Sequence, residues 1–163
     1  MHLPQSTSAG RIDNPGLYGV LYLGNSSAGA VAEAFGWARL WDARLLRGVP
    51  SLPGSVRALA RYDLDDDRGP VCDLDDAARL VELRLRPSQV VTRDRTVTQG
   101  WATEIHGRHE FAGVSWWSYY DPRWGSVGLW DVSALELVAV DVLDELDRPE
   151  IAEAADVLGR IRR

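Results

Sequence analysis

Arg11-Ile12-Asp13-Asn14-Pro15-Gly16-Leu17-Tyr18-Gly19-Val20-Leu21-Tyr22-Leu23-Gly24-Asn25-Ser26-Ser27-Ala28-Gly29-Ala30-Val31-Ala32-Glu33 is the stretch that sets the fold class. Asn14-Pro15-Gly16 reads as a turn, because proline fixes φ and glycine and asparagine accept turn geometry. Tyr18 to Leu23 is an apolar, β-prone run of strand length. Gly24-Asn25-Ser26-Ser27 breaks it, and Asn25, Ser26 and Ser27 all suit a helix N-cap. The spacing then predicts a helix from about Ala28 to Leu40, with Val31, Phe35 and Ala38 on a buried stripe. Turn, strand and helix follow one another without a second strand at βαβ spacing.

The same mixture continues outward. Residues 1–10 read as a loose lead-in. Residues 47–55 form a Pro/Gly connector, and Val56 to Leu64 reads as a strand. Asp65 to Pro70 is a turn with a charged tip. Asp75 and Asp76 can cap a short helix through Leu83, with Pro87 ending that region. Asp94 can cap a further helix to about His106. Phe111 to Trp117, Val127 to Trp130 and Glu136 to Val140 read as strands. From Val142 the chain reads as an amphipathic helical segment interrupted at Pro149. Of the tryptophans, Trp37, Trp101 and Trp130 are expected to pack inside. The order argues for α+β: a mixed sheet flanked by helices. It is read as one domain over 1–163, with its core in 11–140 and a helical tail over 141–163.

Composition narrows the function classes. At 163 residues, 45% hydrophobic and 26% charged, the chain resembles an ordinary globular domain. No run approaches the roughly 18 apolar residues of a membrane span. Met1 to Ser8 lacks the basic start and apolar core of a signal peptide, so the cytoplasm is the expected compartment. Cys72 stands alone, which leaves no internal disulfide and no cysteine-based zinc site. All 18 basic residues are arginine, a bias expected of a GC-rich genome. The net charge of −6 with no basic face argues against duplex nucleic acid as a partner.

Three residues of the opening stretch can carry chemistry. They are evenly spaced, 22 − 11 = 11 and 33 − 22 = 11. Arg11 precedes the turn, where a guanidinium can fork onto phosphate oxygens. The plainer reading is a surface arginine or a partner for Asp13. Tyr22 ends the strand, where its ring can stack on a flat heterocycle or pack half-buried in the core. Glu33 lies among Ala30, Val31, Ala32, Ala34 and Phe35. It either faces solvent between them or aims a carboxylate at a developing oxocarbenium carbon. A cation, an aromatic face and a carboxylate in one cleft would suit a pyrophosphate, a flat ring and a cleavable sugar carbon. That describes a dinucleotide, with NAD as the candidate. Further on, Ser118 follows a strand and precedes the Asp121-Pro122 turn, so its hydroxyl can line a cleft or simply serve the turn.

Other constellations are missing. No Gly-x-Ser-x-Gly elbow supports a triad with His106 or His109. His106-Gly107-Arg108-His109-Glu110 is not a zinc-protease motif, and no metal site is expected. No GxGxxG follows a strand.

Arg11-x-Asp13-x-Pro15, then Gly19-Val20-Leu21-Tyr22-Leu23, then the alanine-rich helix with Glu33 resembles the RES domain family. The later blocks keep that family's order: Leu83 to Ser88, Thr98-Gln99-Gly100-Trp101-Ala102, Phe111-Ala112-Gly113-Val114 with Ser118, and Gly128-Leu129-Trp130-Asp131. The resemblance covers roughly Arg11 to Val140. It implies a fold like the ADP-ribosyltransferase toxins. It also implies a toxin of a bacterial toxin–antitoxin pair that consumes NAD by hydrolysis or phosphorolysis of the nicotinamide–ribose bond. The family's functional positions fall on Arg11, Tyr22, Glu33 and Ser118, with Ser115 a weaker candidate for the serine. Arg11, Tyr22 and Ser118 would bind NAD, without a metal. A cognate helix-turn-helix antitoxin is the implied partner, with the C-terminal tail or the aromatics near Trp124 as its contact, and a homo-oligomer is allowed. Two alternatives stand beside this: a protein ADP-ribosyltransferase using NAD, and a catalytically degenerate antitoxin-binding module. Family members usually carry a strand and an extra segment before the arginine, whereas ten residues precede Arg11 here. That is expected to mean either a start codon further upstream or a copy lacking an edge strand.

Overall fold

The structure, a computed structural model, describes residues 10–163. The lead-in expected over residues 1–10 therefore lies outside the described residues, except for Gly10. In chain order the elements are β1 (Leu21–Gly24), α1 (Ser27–Phe35), β2 (Leu40–Trp41), β3 (Ala58–Leu64), β4 (Val71–Asp73), α2 (Ala77–Glu82) and α3 (Pro87–Val90). They continue with α4 (Arg95–Gly107), β5 (Gly113–Trp117), β6 (Gly125–Leu129), β7 (Leu135–Val142), α5 (Pro149–Val157) and β8 (Ile161–Arg162). Strands and helices mix along the chain without βαβ alternation, and the fold is α+β, as the sequence indicates. The chain packs as two compact units, each built from two separate stretches.

The first unit runs to Gly24 and resumes over Leu64–Leu135. Its four-stranded sheet has the order β1-β6-β5-β4. β1 and β5 are antiparallel to β6, while β4 is parallel to β5, so the sheet is mixed. Register determines which side chains share a face, because opposed residues point the same way. Tyr22 stands opposite Gly128, Gly128 opposite Val114, and Val114 opposite Cys72. Val114, Cys72 and the next residue on that face, Trp116, are buried in one core with Trp101, Ala102 and Ile105 of α4. Each such aliphatic side chain contributes on the order of 1.5–3 kcal/mol by leaving water. Gly113 and Gly128 allow the strands and the N-terminal segment to approach closely. A Cβ on Gly113 would run into the Gly128 carbonyl, and one on Gly128 into Ile12 Cδ1.

Both helices of this unit predicted to have aspartate caps have them. Asp76 accepts from Ala78 N–H at 2.9 Å and Asp94 from Thr96 N–H at 3.0 Å. Pro87 begins α3 at its first turn, where a missing N–H costs nothing, and does not simply end the preceding region. The short strand β4 carries no sequence signal of its own; pairing with β5 makes it.

The second unit comprises Asn25–Asp63 and Glu136–Arg163. Ser26 caps α1, its Oγ accepting from Gly29 N–H at 3.1 Å. α1 packs against α5, burying Val31, Ala32 and Phe35 opposite a helix that buries Ile151, Ala154 and Ala155. The helix expected to reach Leu40 stops at Phe35. Gly36 N–H closes the last turn on the Ala32 carbonyl at 2.7 Å, and Leu40–Trp41 instead pairs in parallel with Ile161–Arg162. Trp37, expected inside, is 75% exposed just past that end, its indole N–H donating to the Ala34 carbonyl. Trp101 packs as expected, and Trp130 is half-buried against the core. β3 and β7 form a two-stranded sheet. β7 runs through Val142, so the segment read as helical from there begins as strand. Pro149 opens α5 rather than interrupting a helix. Trp124, expected near an exposed aromatic patch, is buried, while its neighbour Tyr119 is exposed. No helix among the described residues is long and apolar enough to cross a membrane.

Candidate active site

Tyr22 is the hub of the first unit's site. Its phenol donates to Asp13 Oδ1 at 2.6 Å and accepts from Ile12 N–H at 3.1 Å. The other oxygen of Asp13 accepts from Gly10 N–H at 2.7 Å. The segment Gly10–Asp13 is thus fastened onto the strand by one phenol and one carboxylate. Gly10 leaves room for this, since a Cβ there would collide with the phenol oxygen and with Asp13. Burial first, and then the bond to Asp13, push the Tyr22 phenol well above the usual tyrosine range, so it stays protonated. The ring meets Trp116 edge-on at 6.4 Å and is 41% exposed, which leaves aromatic surface for a flat ligand.

Arg11 is partly exposed and anchored. Its NH1 donates to the Val90 carbonyl at 2.7 Å and to the Thr92 carbonyl at 2.9 Å, at the end of α3. Its own carbonyl accepts from the Thr98 hydroxyl at 2.5 Å, and the Gly10 carbonyl accepts from Gln99 Nε2 at 3.2 Å. The guanidinium thereby orders the segment that carries Asp13 and sets a positive charge beside it.

Ser118 is buried directly after β5, and its Oγ accepts from Tyr120 N–H at 3.1 Å. Its N–H donates to the Trp124 carbonyl at 2.6 Å, which pinches the loop into β6. Farther along the loop, Asp121 is held down to about 2 by the forked side chain of Arg123. Alternation along β5 places Ser118 on the face of Trp116, and register places Tyr22 on that same face. Ser115 lies on the opposite face and donates to Asp73 at 3.1 Å. Geometry thus separates the two serines that the sequence left as candidates, and Ser118 is the one on the tyrosine's side.

Glu33 belongs to the second unit, on the exposed side of α1 between the buried Ala32 and Phe35. Arg11, Tyr22 and Ser118 are gathered on one scaffold, and Glu33 is presented by another.

Asp13 joins this cluster although the sequence motif alone does not single it out. Its carboxylate, which the sequence allows as a partner for Arg11, is buried and accepts from Tyr22 and Gly10. The available signal was the Asn14-Pro15-Gly16 turn, which folds Asp13 back toward the strand. Thr98 and Gln99 also act here, from one face of α4. Among the described residues, no group of three or more His, Cys, Asp or Glu is placed to hold a metal ion.

A buried carboxylate, a neutral phenol, a half-exposed ring and an ordered arginine together suit recognition of a flat, phosphorylated ligand. A sequence model described as the RES domain matches residues 1–150 of this chain. No curated protein and no solved structure matches it.

Proposed function

The chain belongs to the RES domain family, an NAD-related module associated with toxin–antitoxin systems, and on that premise we propose that it cleaves the nicotinamide–ribose bond of NAD. One observation supports this best. The family's arginine and tyrosine positions are locked together through the Ile12 and Asp13 contacts to Tyr22, on the sheet face that also carries Ser118.

In this reading NAD lays its nicotinamide against the exposed side of Tyr22 and its pyrophosphate toward the positive charge of Arg11. Pyridinium departure takes the C–N electron pair and neutralises the ring, so the leaving group needs no proton. The oxocarbenium-like ribose carbon is then captured by water, giving ADP-ribose, or by phosphate, giving ADP-ribose-1″-phosphate. The proton of water passes to solvent. Ser118 would hold ribose or phosphate oxygens. Glu33, assigned from the family motif, would stabilise the cationic transition state. A helix-turn-helix antitoxin as cognate partner and an ADP-ribosyltransferase-like fold belong to the same proposal.

The test is nicotinamide release from NAD by the purified protein, followed by chromatography. Release is expected, with a Glu33→Gln variant slower by about 10²-fold or more. No release, or equal rates in the two proteins, would overturn the reading. Transfer of tagged ADP-ribose to lysate proteins without free product would replace it by a protein ADP-ribosyltransferase.

A further inference from the structure

Arg95 is the first residue of α4. Its NH1 is buried and has no hydrogen-bond partner among the described residues. A charged donor removed from water without an acceptor is costly, so such a group needs an explanation. The same face of α4, at i+3 and i+4, carries Thr98 and Gln99, which bond the carbonyls of Arg11 and Gly10. Arg95 therefore stands at the end of the helix face that holds the Gly10–Asp13 segment, and its charge acts on the Tyr22 phenol. Arg11, by contrast, has NH1 engaged by two backbone carbonyls.

We propose that Arg95 is a second anion-contacting residue of this site, its buried NH1 awaiting an oxygen of a ligand's phosphate groups. The inference deepens the NAD reading and rests on it for the identity of the ligand: Arg95 would join Arg11 in holding the pyrophosphate. A guanidinium suits this better than an ammonium because its planar fork fits phosphate oxygens.

Calorimetric titration with ADP-ribose, nicotinamide riboside and inorganic pyrophosphate tests it, on the parent protein and on R95Q and R95K. R95Q is expected to bind ADP-ribose about tenfold more weakly or worse, as loss of a charge-assisted bond implies. R95K should recover part of that loss. Nicotinamide riboside, which has no phosphate, should bind all three alike, and unliganded R95Q should melt no lower than the parent. R95Q holding ADP-ribose as tightly as the parent would overturn the proposal, as would an equal loss for the riboside, which would indicate a packing role. If the parent releases nicotinamide from NAD while R95Q keeps its ADP-ribose affinity, the anion contact falls and the NAD reading stands. If the parent binds pyrophosphate through Arg95 but neither binds the riboside nor cleaves NAD, the anion contact stands and the NAD reading falls. A parent that binds neither ADP-ribose nor pyrophosphate overturns the anion contact.

Discussion

Tyr22 and Asp13 share one proton-bearing contact of 2.6 Å, and through it a strand holds down the loop that precedes it. The phenol is the donor, and the carboxylate accepts from both Tyr22 and Gly10. The site is therefore stiff where a ring must be presented.

Removing the phenol oxygen should be felt as stability. Tyr22→Phe leaves Asp13 Oδ1 and Ile12 N–H without their partner, at a cost of about 1–3 kcal/mol. Urea unfolding would show it; a midpoint equal to that of the parent would contradict the contact.

Burial of the phenol, together with this bond, predicts an alkaline limit. The folded phenol titrates above its ordinary 10.0, so the folded state holds this proton more tightly than the unfolded state. Its contribution is complete below pH 10 and is lost as pH rises from there through the folded value. Ultraviolet titration of tyrosinate should show Tyr22, together with the buried Tyr18, lagging behind the exposed tyrosines, and stability should fall with rising pH above about 10.

Arg11→Ala should unpin the segment. The carbonyls of Val90 and Thr92 lose a charged donor, with an expected cost of about 1–3 kcal/mol. Hydrogen exchange at Ile12 should quicken more than exchange at the centre of β5. Arg11→Lys should restore part of the loss, because both carbonyls accept from the single nitrogen NH1 and an ammonium also carries more than one N–H donor.

Gly128→Ala and Gly113→Ala form a graded pair. Alanine at 128 presses on the end of the Ile12 side chain, which can shift at about 1–3 kcal/mol and would move the Arg11 segment with it. Alanine at 113 presses on the Gly128 backbone carbonyl, which cannot give without breaking the β5–β6 ladder. Thermal melts should rank Gly113→Ala as the more damaging, and the reverse order would refute this account of the sheet.

Cys72 should be silent toward thiol reagents in the folded protein. It is fully buried, and burial raises its thiol to about 11. Reaction with a chromogenic disulfide near pH 8 should appear only on adding denaturant.

What could be read from the sequence was local. Asn25 to Ser27, Asp75-Asp76 and Asp94 mark three helix starts, where Ser26, Asp76 and Asp94 make the caps, because a cap needs only its own next few residues. The β-branched and aromatic run before Ser118 announced β5. What could not be read depended on distant partners. Leu40–Trp41 is strand because Ile161–Arg162 lies beside it, so the helix before it stops at Phe35. Val142 stays in β7 because pairing with β3 outweighs its place in an amphipathic pattern. Pro87 and Pro149 read as breaks because a proline that starts a helix and one that stops it look alike without the helix. In the site, the motif named Tyr22 and Ser118. Their common face follows from the register through Gly128, which no single segment contains. Asp13 was overlooked because its phenol partner joins it only after the turn folds back.

The interleaving of the two units has a consequence for synthesis. α1, which presents Glu33, buries its apolar side on α5, about 120 positions later in the chain. While the ribosome is still translating, that side has nothing to pack against, and the sheet of the other unit waits for β6. A nascent chain halted before Ile151 would display Val31 and Phe35 to chaperones instead of closing over them. Closure of this unit thus waits for α5, which emerges after α1, α2, α3 and α4.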